Sequence, residues 1–300
     1  VVARFWRSVL VGELLIAALI AWAWNGALHG SLIGALALTL GVFAALQVLW
    51  VAVPVIAAGL LFPRAGLSSS TTRSWRALAA ELVAFPLAQL AMSAEPWLRR
   101  DQSAVPRNAA KPVLLLHGIL CNAAVWRRLS ARLHAAGFAP VRAINLEPLD
   151  ADIEAYAASA RRELLALHHE GHEAPVAIVA HSMGGLVARS LLRTLGPQVA
   201  SRIVTVGSPH QGTATACVLP LTGARQMRAG SEWLRDLSAA EDGRYSVPIT
   251  NVYSRDDALV PAQSAALSGA AACELSGVGH FGLLRSRRAL DAIVEALARG

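Results

Sequence analysis

The sequence predicts an α/β fold, a mainly parallel sheet flanked by helices, preceded by an N-terminal transmembrane helical hairpin. Three observations carry this. Two long apolar runs lie before Pro63, short apolar runs alternate with helix-length segments past Lys111, and chemically reactive residues recur directly after the short runs. The mean hydropathy of +0.46 is high for a soluble protein, and its excess sits almost entirely before Pro63. The 300 residues divide into a hairpin at 1–63, an amphipathic interfacial helix and linker at 64–110, and an α/β domain at 111–300.

Phe5 to Leu28 is apolar except for Arg7, Ser8, Glu13 and Asn25, and Leu32 to Phe62 carries no charge. A spanning helix needs roughly 20 apolar residues, so both runs qualify. A cleaved signal peptide would have a shorter apolar stretch and no second span close behind it. The Asn25–Ser31 link has Gly26 and Gly30 for a tight reversal. Pro54 is expected to end or kink the second helix, because proline lacks the amide donor and clashes with the preceding turn. Gly34, Ala37, Gly41 and Ala44 share one helical face, and Ala17, Ala18 and Ala21 offer a matching small surface. Such faces either let two helices approach closely in lipid or reflect only the abundance of alanine and glycine here.

Arg4 and Arg7 precede the hairpin, Arg64, Arg73 and Arg76 follow it, and the link has no arginine. The positive-inside rule makes both ends cytoplasmic, with the domain downstream on the cytoplasmic face of a bacterial inner membrane. Ala77–Ala94 decides this, since a third span would put the domain outside. It holds Glu81, Pro86 and Gln89, has arginines at both ends (Arg73, Arg76, Arg99, Arg100), and spaces Trp75, Leu78, Leu82, Phe85 and Leu90 helically. The expectation is a helix lying in the interface, followed by a polar linker at Asp101–Lys111 with Pro106.

The formal charge is +7, and Lys111 is the only lysine. The arginines are scattered and accompany no nucleic-acid motif, which favours anionic lipid head groups over nucleic acid as the partner. Cys121, Cys217 and Cys273 are odd in number and form no Cys-x-x-Cys pair. They read as small apolar residues rather than a metal site or disulfide framework, with one bridge left open.

Val113–Leu116, Val141–Leu146, Val176–Ala180, Ile203–Val206 and Ile249–Tyr253 read as buried strands, with a weaker sixth at Ala272–Leu275. Helices are expected at Ala123–Ala136, Ile153–His169, Leu186–Leu195 and Leu284–Leu297, with Gly137, Gly171 and Gly196 as stops. That alternation implies parallel strands with helices on both faces. In such sheets sites form beyond the carboxyl ends of the strands.

The loops there carry chemistry. Ala180-His181-Ser182-Met183-Gly184-Gly185 joins a strand to a helix, and a serine on so sharp a turn projects its hydroxyl above the sheet. The residues two before and two after it must be small, which Ala180 and Gly184 satisfy. His117-Gly118-Ile119 follows the first strand, and Gly118 lets the chain turn its amides toward the serine. The amides of Met183 and Ile119 are the candidate oxyanion donors. His117 directly follows a buried strand and reads as structural. Asp257, preferred to Asp256 by its spacing to Val260-Pro261, is the candidate acid, and His280, flanked by Gly279 and Gly282, the candidate base. The order Ser182, Asp257, His280 is nucleophile, acid, base.

Residues 111–300 resemble the bacterial lipase branch of the α/β-hydrolase superfamily. The resemblance runs through His117-Gly118, Trp126, the Ala-His-Ser-Met-Gly elbow, the stretch Val206 to Thr213, the Asp257 loop and Gly279-His280. The compact domain and Ala-first elbow are similar to small bacterial lipases without a large lid, and Ser-Pro-His-x-Gly-Thr is similar to larger lipases. The resemblance implies carboxylester hydrolysis through an acyl-enzyme, without a cofactor or metal, on a lipid or small ester. It does not extend to residues 1–100. Acyl transfer or thioester hydrolysis uses the same constellation, whereas a non-catalytic membrane scaffold would not need all three residues intact.

Ala214–Val247 is an insertion before the acid loop, either part of an acyl-binding wall or a surface excursion, with a short helix capped by Ser231. His168-His169-Glu170-Gly171-His172 lacks the spacing of a zinc helix and suits a helix end. Arg127-Arg128 and Arg161-Arg162 read as solvated helix faces.

Overall fold

The computed structural model describes residues 1–28, 31–61, 75–98, 111–169, 175–196, 200–241, 245 and 247–299. Six parallel strands form one sheet in the order β2-β1-β3-β4-β5-β6. They are β1 (Val113–Leu116), β2 (Val141–Ile144), β3 (Ala177–His181), β4 (Arg202–Val206), β5 (Ile249–Ser254) and β6 (Ala271–Leu275). Chain order reverses between β1 and β3, whose registers pair Leu116 with Ala180, so a crevice opens where both strands end.

Every side chain of β1 and β3 is buried. Alternate residues serve opposite layers, because strand side chains alternate between faces. Val113, Leu115 and Val179 pack toward α5 (Arg127–Ala135) and α11 (Arg287–Ala298). Leu114, Leu116 and Ile178 pack toward α6 (Ile153–His169) and α7 (Met183–Leu195). Both strands are thus core on each face, which is why they read as continuous apolar runs. β6 is an edge strand with several exposed side chains, matching its weaker pattern. The segment expected as one helix from Ala123 opens instead as a 3₁₀ turn, Ala123–Trp126, because Asn122 Oδ1 accepts the Ala124 amide. The last helix likewise begins only at Arg287, after a separate 3₁₀ turn at Gly282–Leu284. Gly137 and Gly196 have positive φ where α5 and α7 stop; Gly171 and residues 170–174 lie outside the described residues.

N-terminal to the sheet stand α1 (Val2–Leu28), α2 (Leu32–Leu61), α3 (Trp75–Ser93) and the short α4 (Glu95–Leu98). Val2–Gly26 and Leu32–Leu61 are long and apolar enough to cross a membrane. Their outer faces expose large apolar side chains, among them Leu19, Trp22, Leu40 and Leu60. Of the two outcomes expected at Pro54, an end or a kink, the end does not occur, since α2 continues through it; a long helix whose neighbours support it tolerates a proline. Of the small residues on the two helices, Ala17 is buried while Gly41 and Ala44 are exposed, and Ala35, Gln47, Val51 and Val55 are buried on α2. In α3 Phe85 is buried while Leu78 and Leu90 are exposed. Glu81, Gln89 and Ser93 of that helix are buried instead.

The inward polar residues meet one another. Glu13 accepts from Gln47 Nε2 (3.0 Å), Trp50 Nε1 (2.7 Å) and Gln89 Nε2 (3.2 Å), tying α1, α2 and α3 at one point. Polar groups in an apolar helix pair with one another because an unpaired one is costly away from water. The helices also dock on the sheet domain, where Asn122 Nδ2 donates to Met92 O at 2.9 Å and Asn145 Nδ2 to Glu95 Oε1 at 3.2 Å. The linker at 101–110, the reversal at 29–30, Arg64, Arg73, Arg99 and Arg100 lie outside the described residues.

Candidate active site

Ser182 sits between β3 and α7 with φ +54° and ψ −125°. A non-glycine residue holds such a conformation only where its surroundings over-determine it. Its amide donates to Val206 O at 2.9 Å. Room for the turn comes from two glycines. A Cβ at Gly118 would stand 2.7 Å from Ser182 Cβ, and one at Gly184 would stand 2.4 Å from Leu116 O. Ala180 is fully buried, as its position in the elbow requires. Met183 opens α7, so its amide is among the first four of the helix, which lack intrahelical acceptors. Ile119 lies in the loop beyond Gly118 and, like Ser182, borders a cavity of about 140 Å³.

The structure brings Asp257 and His280 together. His280 Nδ1 is 2.7 Å from Asp257 Oδ2, and Asp257 Oδ1 accepts the amides of Leu259 and Val260, each at 2.9 Å. Both carboxylate oxygens are therefore occupied. The neighbouring Asp256 turns elsewhere and accepts the Gly277 amide at 2.6 Å. Burial pulls the His280 pKa down, but the charge and hydrogen bond of Asp257 and the charge of Glu81 outweigh it, and the net shift is upward.

The other histidines have different settings. His117 Nε2 accepts the Leu146 amide at 2.9 Å while Nδ1 donates to Gly118 O at 2.9 Å. Burial lowers its pKa to about 4, so the ring is neutral and holds β1 to the end of β2. His181 is buried with its ring centroid 4.6 Å from that of His280, and burial first, then the His280 charge, keeps its pKa well below the ordinary value. His210 is buried against Thr205 Oγ1 at 3.1 Å.

The stretch after β4 shapes the acid–base pair. Gly207 has φ +55°, and a Cβ there would meet Asp257 Oδ2 at 3.3 Å and His280 Nδ1 at 3.4 Å. Thr213 and Thr215 donate to Leu259 O at 2.7 and 2.8 Å, steadying the acid loop. The insertion divides its roles. Ala216, Leu219 and Met227 line the cavity, whereas α8 (Thr222–Gln226) leads to α9 (Glu232–Glu241), whose Trp233 Nε1 donates to Glu154 Oε1 at 2.9 Å on the back of the domain. Ser231 caps α9 as expected, accepting the Leu234 amide at 3.2 Å.

Two participants carry no motif in the sequence. Trp6 Nε1 donates to Leu120 O at 2.6 Å, in the loop that carries Ile119, where Leu120 itself has φ +58°. Glu81 accepts the amides of Phe281 and Gly282 at 2.7 and 3.0 Å. Burial raises its pKa to about 7 against the two amide bonds and the His280 charge, which pull it down. The available signal was a single acid in an otherwise apolar segment, as at Glu13. Trp6, Trp50, Pro54 and Phe85, all from the N-terminal helices, complete the cavity wall.

Among solved structures the chain is similar to Aspergillus fumigatus lipase B, at 20% identity and a TM-score of 0.58, over 66% of this chain and 55% of that one. It is also similar to the mature form of Bacillus licheniformis lipase BlEst2, at 16% identity and TM-score 0.58, over 64% of this chain and 94% of that one. The fold is that of the α/β hydrolases. Residues 139–219, from before β2 to past the 3₁₀ turn at Ala214–Val218, match the family described as the PGAP1-like alpha/beta domain. The chain spans about half the length of the Aspergillus lipase and of the BlEst2 propeptide form, which it matches over 55% and 51% of their lengths. In an α/β hydrolase the serine elbow after a central strand and the acid and histidine loops beyond later strands lie at one end of the sheet. Ser182, Asp257 and His280 occupy that end here.

Proposed function

We propose that the protein is a membrane-anchored serine carboxylester hydrolase, a lipase or esterase acting on lipid-like esters. The observation that carries this reading is the 2.7 Å contact of His280 Nδ1 with Asp257 beside a serine held at φ +54°. His280 Nε2 takes the proton of Ser182 as Oγ attacks the ester carbonyl carbon, and the amides of Ile119 and Met183 bind the oxyanion. Collapse of the tetrahedral intermediate breaks the ester C–O bond, and the leaving alcohol takes the proton from His280. Water, deprotonated by His280, then attacks the acyl-enzyme and releases the acid and Ser182. Asp257 keeps the Nδ1 proton in place and stabilises the imidazolium.

The apolar cavity and its wall of Trp6, Trp50, Pro54 and Phe85 support a greasy acyl group. α1 and α2 are the proposed anchor, with α3 at the interface and the hydrolase domain on the cytoplasmic side, as the flanking arginines favour. The test is fluorophosphonate labelling of the full chain in detergent. Ser182 should be the labelled residue, and Ser182→Ala should retain its melting temperature while losing ester turnover. Labelling elsewhere, or turnover by Ser182→Ala, rejects the reading. Protease accessibility from each side of sealed vesicles tests the orientation.

A further inference from the structure

We propose that Glu81 is a positioning residue of this active site: carried in by α3, its carboxylate holds the Gly279–Gly282 turn and thereby the ring of His280. The proposal rests on the reading of Ser182 as nucleophile and His280 as its base. Glu81 reaches across about 200 residues of sequence and bonds the two amides that come after His280. The turn also meets the same side chain from its other end. A Cβ at Gly279 would stand 2.3 Å from Glu81 Oε2 and 3.1 Å from Glu81 Cβ, so glycine is needed there for the carboxylate to fit. Residues on both sides of His280 are thus fitted to one buried acid, which is only 4% exposed.

The contact is not a general packing arrangement. A carboxylate taken out of water is costly unless hydrogen bonds and charge compensate it. Here two backbone amides and the charge of His280 do so, while Asp257 opposes. His280 is faced by Asp257 from the loop after β5, by Glu81 from α3 and by the neutral His181 from the end of β3. As Ser182 gives up its proton the ring becomes cationic, so an anion on α3 stabilises the same charge that Asp257 does, from another direction. Rings continue the connection outward, since Phe281 meets Phe85 edge to face at 5.1 Å and Phe85 meets Trp6 in the same way at 5.8 Å.

The experiment compares the wild-type full chain with Glu81→Gln, Glu81→Asp and Gly279→Ala in detergent. It reads the rate of fluorophosphonate labelling at Ser182, the kcat and KM for a short-chain p-nitrophenyl ester, and the pH profile of kcat/KM. Glu81→Gln should slow labelling and lower kcat by roughly ten- to a hundredfold, since a misplaced catalytic group costs rate steeply. Its KM should stay close to wild type, because the loss falls on the transition state. Glu81, whose own pKa is about 7, and His280 titrate together, so replacing the acid by an amide should move the acid limb of the profile to lower pH. Glu81→Asp should restore the limb in part. Gly279→Ala, which crowds the carboxylate from the turn side, should reproduce the kcat loss, and it serves as the probe if Glu81→Gln does not fold. Wild-type labelling rates with an unmoved acid limb overturn the proposal. So does a loss of kcat that tracks the melting temperature alone with no change in the limb. Wild-type protein that is not labelled at Ser182 overturns the functional reading instead.

Discussion

A Cβ on Gly118 would stand 2.7 Å from that of Ser182, closer than two side-chain carbons can come without one moving. Gly118→Ala should therefore displace the nucleophile or the neighbouring Ile119 amide. The expected outcome is a fall in kcat on the order of a hundredfold, similar to loss of an oxyanion donor, with the fold retained; steady-state kinetics beside a melting curve checks it. His117 invites the opposite expectation. Its ring bonds Leu146 and Gly118 backbone groups and touches no reacting atom, so His117→Phe should cost about 1–3 kcal/mol of stability by orphaning the Leu146 amide. Turnover per folded molecule should remain, measured with active-site titration. Glu81 also makes a stability statement. Its pKa is near 7 in the fold against an ordinary 4.5, so the folded state holds an extra proton between these values. Stability contributed by that proton is present below about pH 4.5 and is lost as pH rises to about 7. Glu81→Gln should flatten the melting temperature over this window, whereas wild type should decline across it.

Among the elements, the strands and the loops behind them were legible because Ser182 and Asp257 come soon after buried runs, whereas His280 follows the weaker edge strand through a glycine-flanked loop. β1 has the bounds its apolar run predicts, and Ser182, Asp257 and His280 fall after β3, β5 and β6. The preference for Asp257 over Asp256 also agrees with the contacts, and it yields a sharp comparison. Asp257→Asn should lower kcat on the order of 10⁴-fold, since the histidine loses its orienting anion. Asp256→Asn, at a carboxylate that accepts the Gly277 amide rather than meeting His280, should leave kcat within about tenfold; parallel kinetics on the two variants separate them. The features that stayed hidden depend on contacts far along the chain. Periodicity along α3 cannot reveal that its acids and amides face inward toward α1 and the His280 turn. Nor does composition tell that Gln47 and Trp50 of α2 reach Glu13 of α1.

At the scale of the molecule, the N-terminal helices and the sheet domain share one cavity. Trp6, Trp50 and Phe85 stand on one side of it and Leu219 and Met227 on the other. Leu219→Trp should shorten the acyl chain that is turned over best, read from a series of p-nitrophenyl esters of increasing length. A flat response across the series would mean that the acyl group lies elsewhere. The shared wall also bears on how the products leave. An ester splits into two fragments with opposite solvent preference, and with α2 in the proposed membrane setting a chamber bounded partly by that helix would offer them different exits. The fatty fragment can partition sideways into lipid while the alcohol leaves through water. Release of the first then depends on how readily neighbouring acyl chains give way. In reconstituted vesicles, turnover of long-chain esters should break in slope at the host lipid's gel transition, while a soluble short-chain ester should pass through it unchanged.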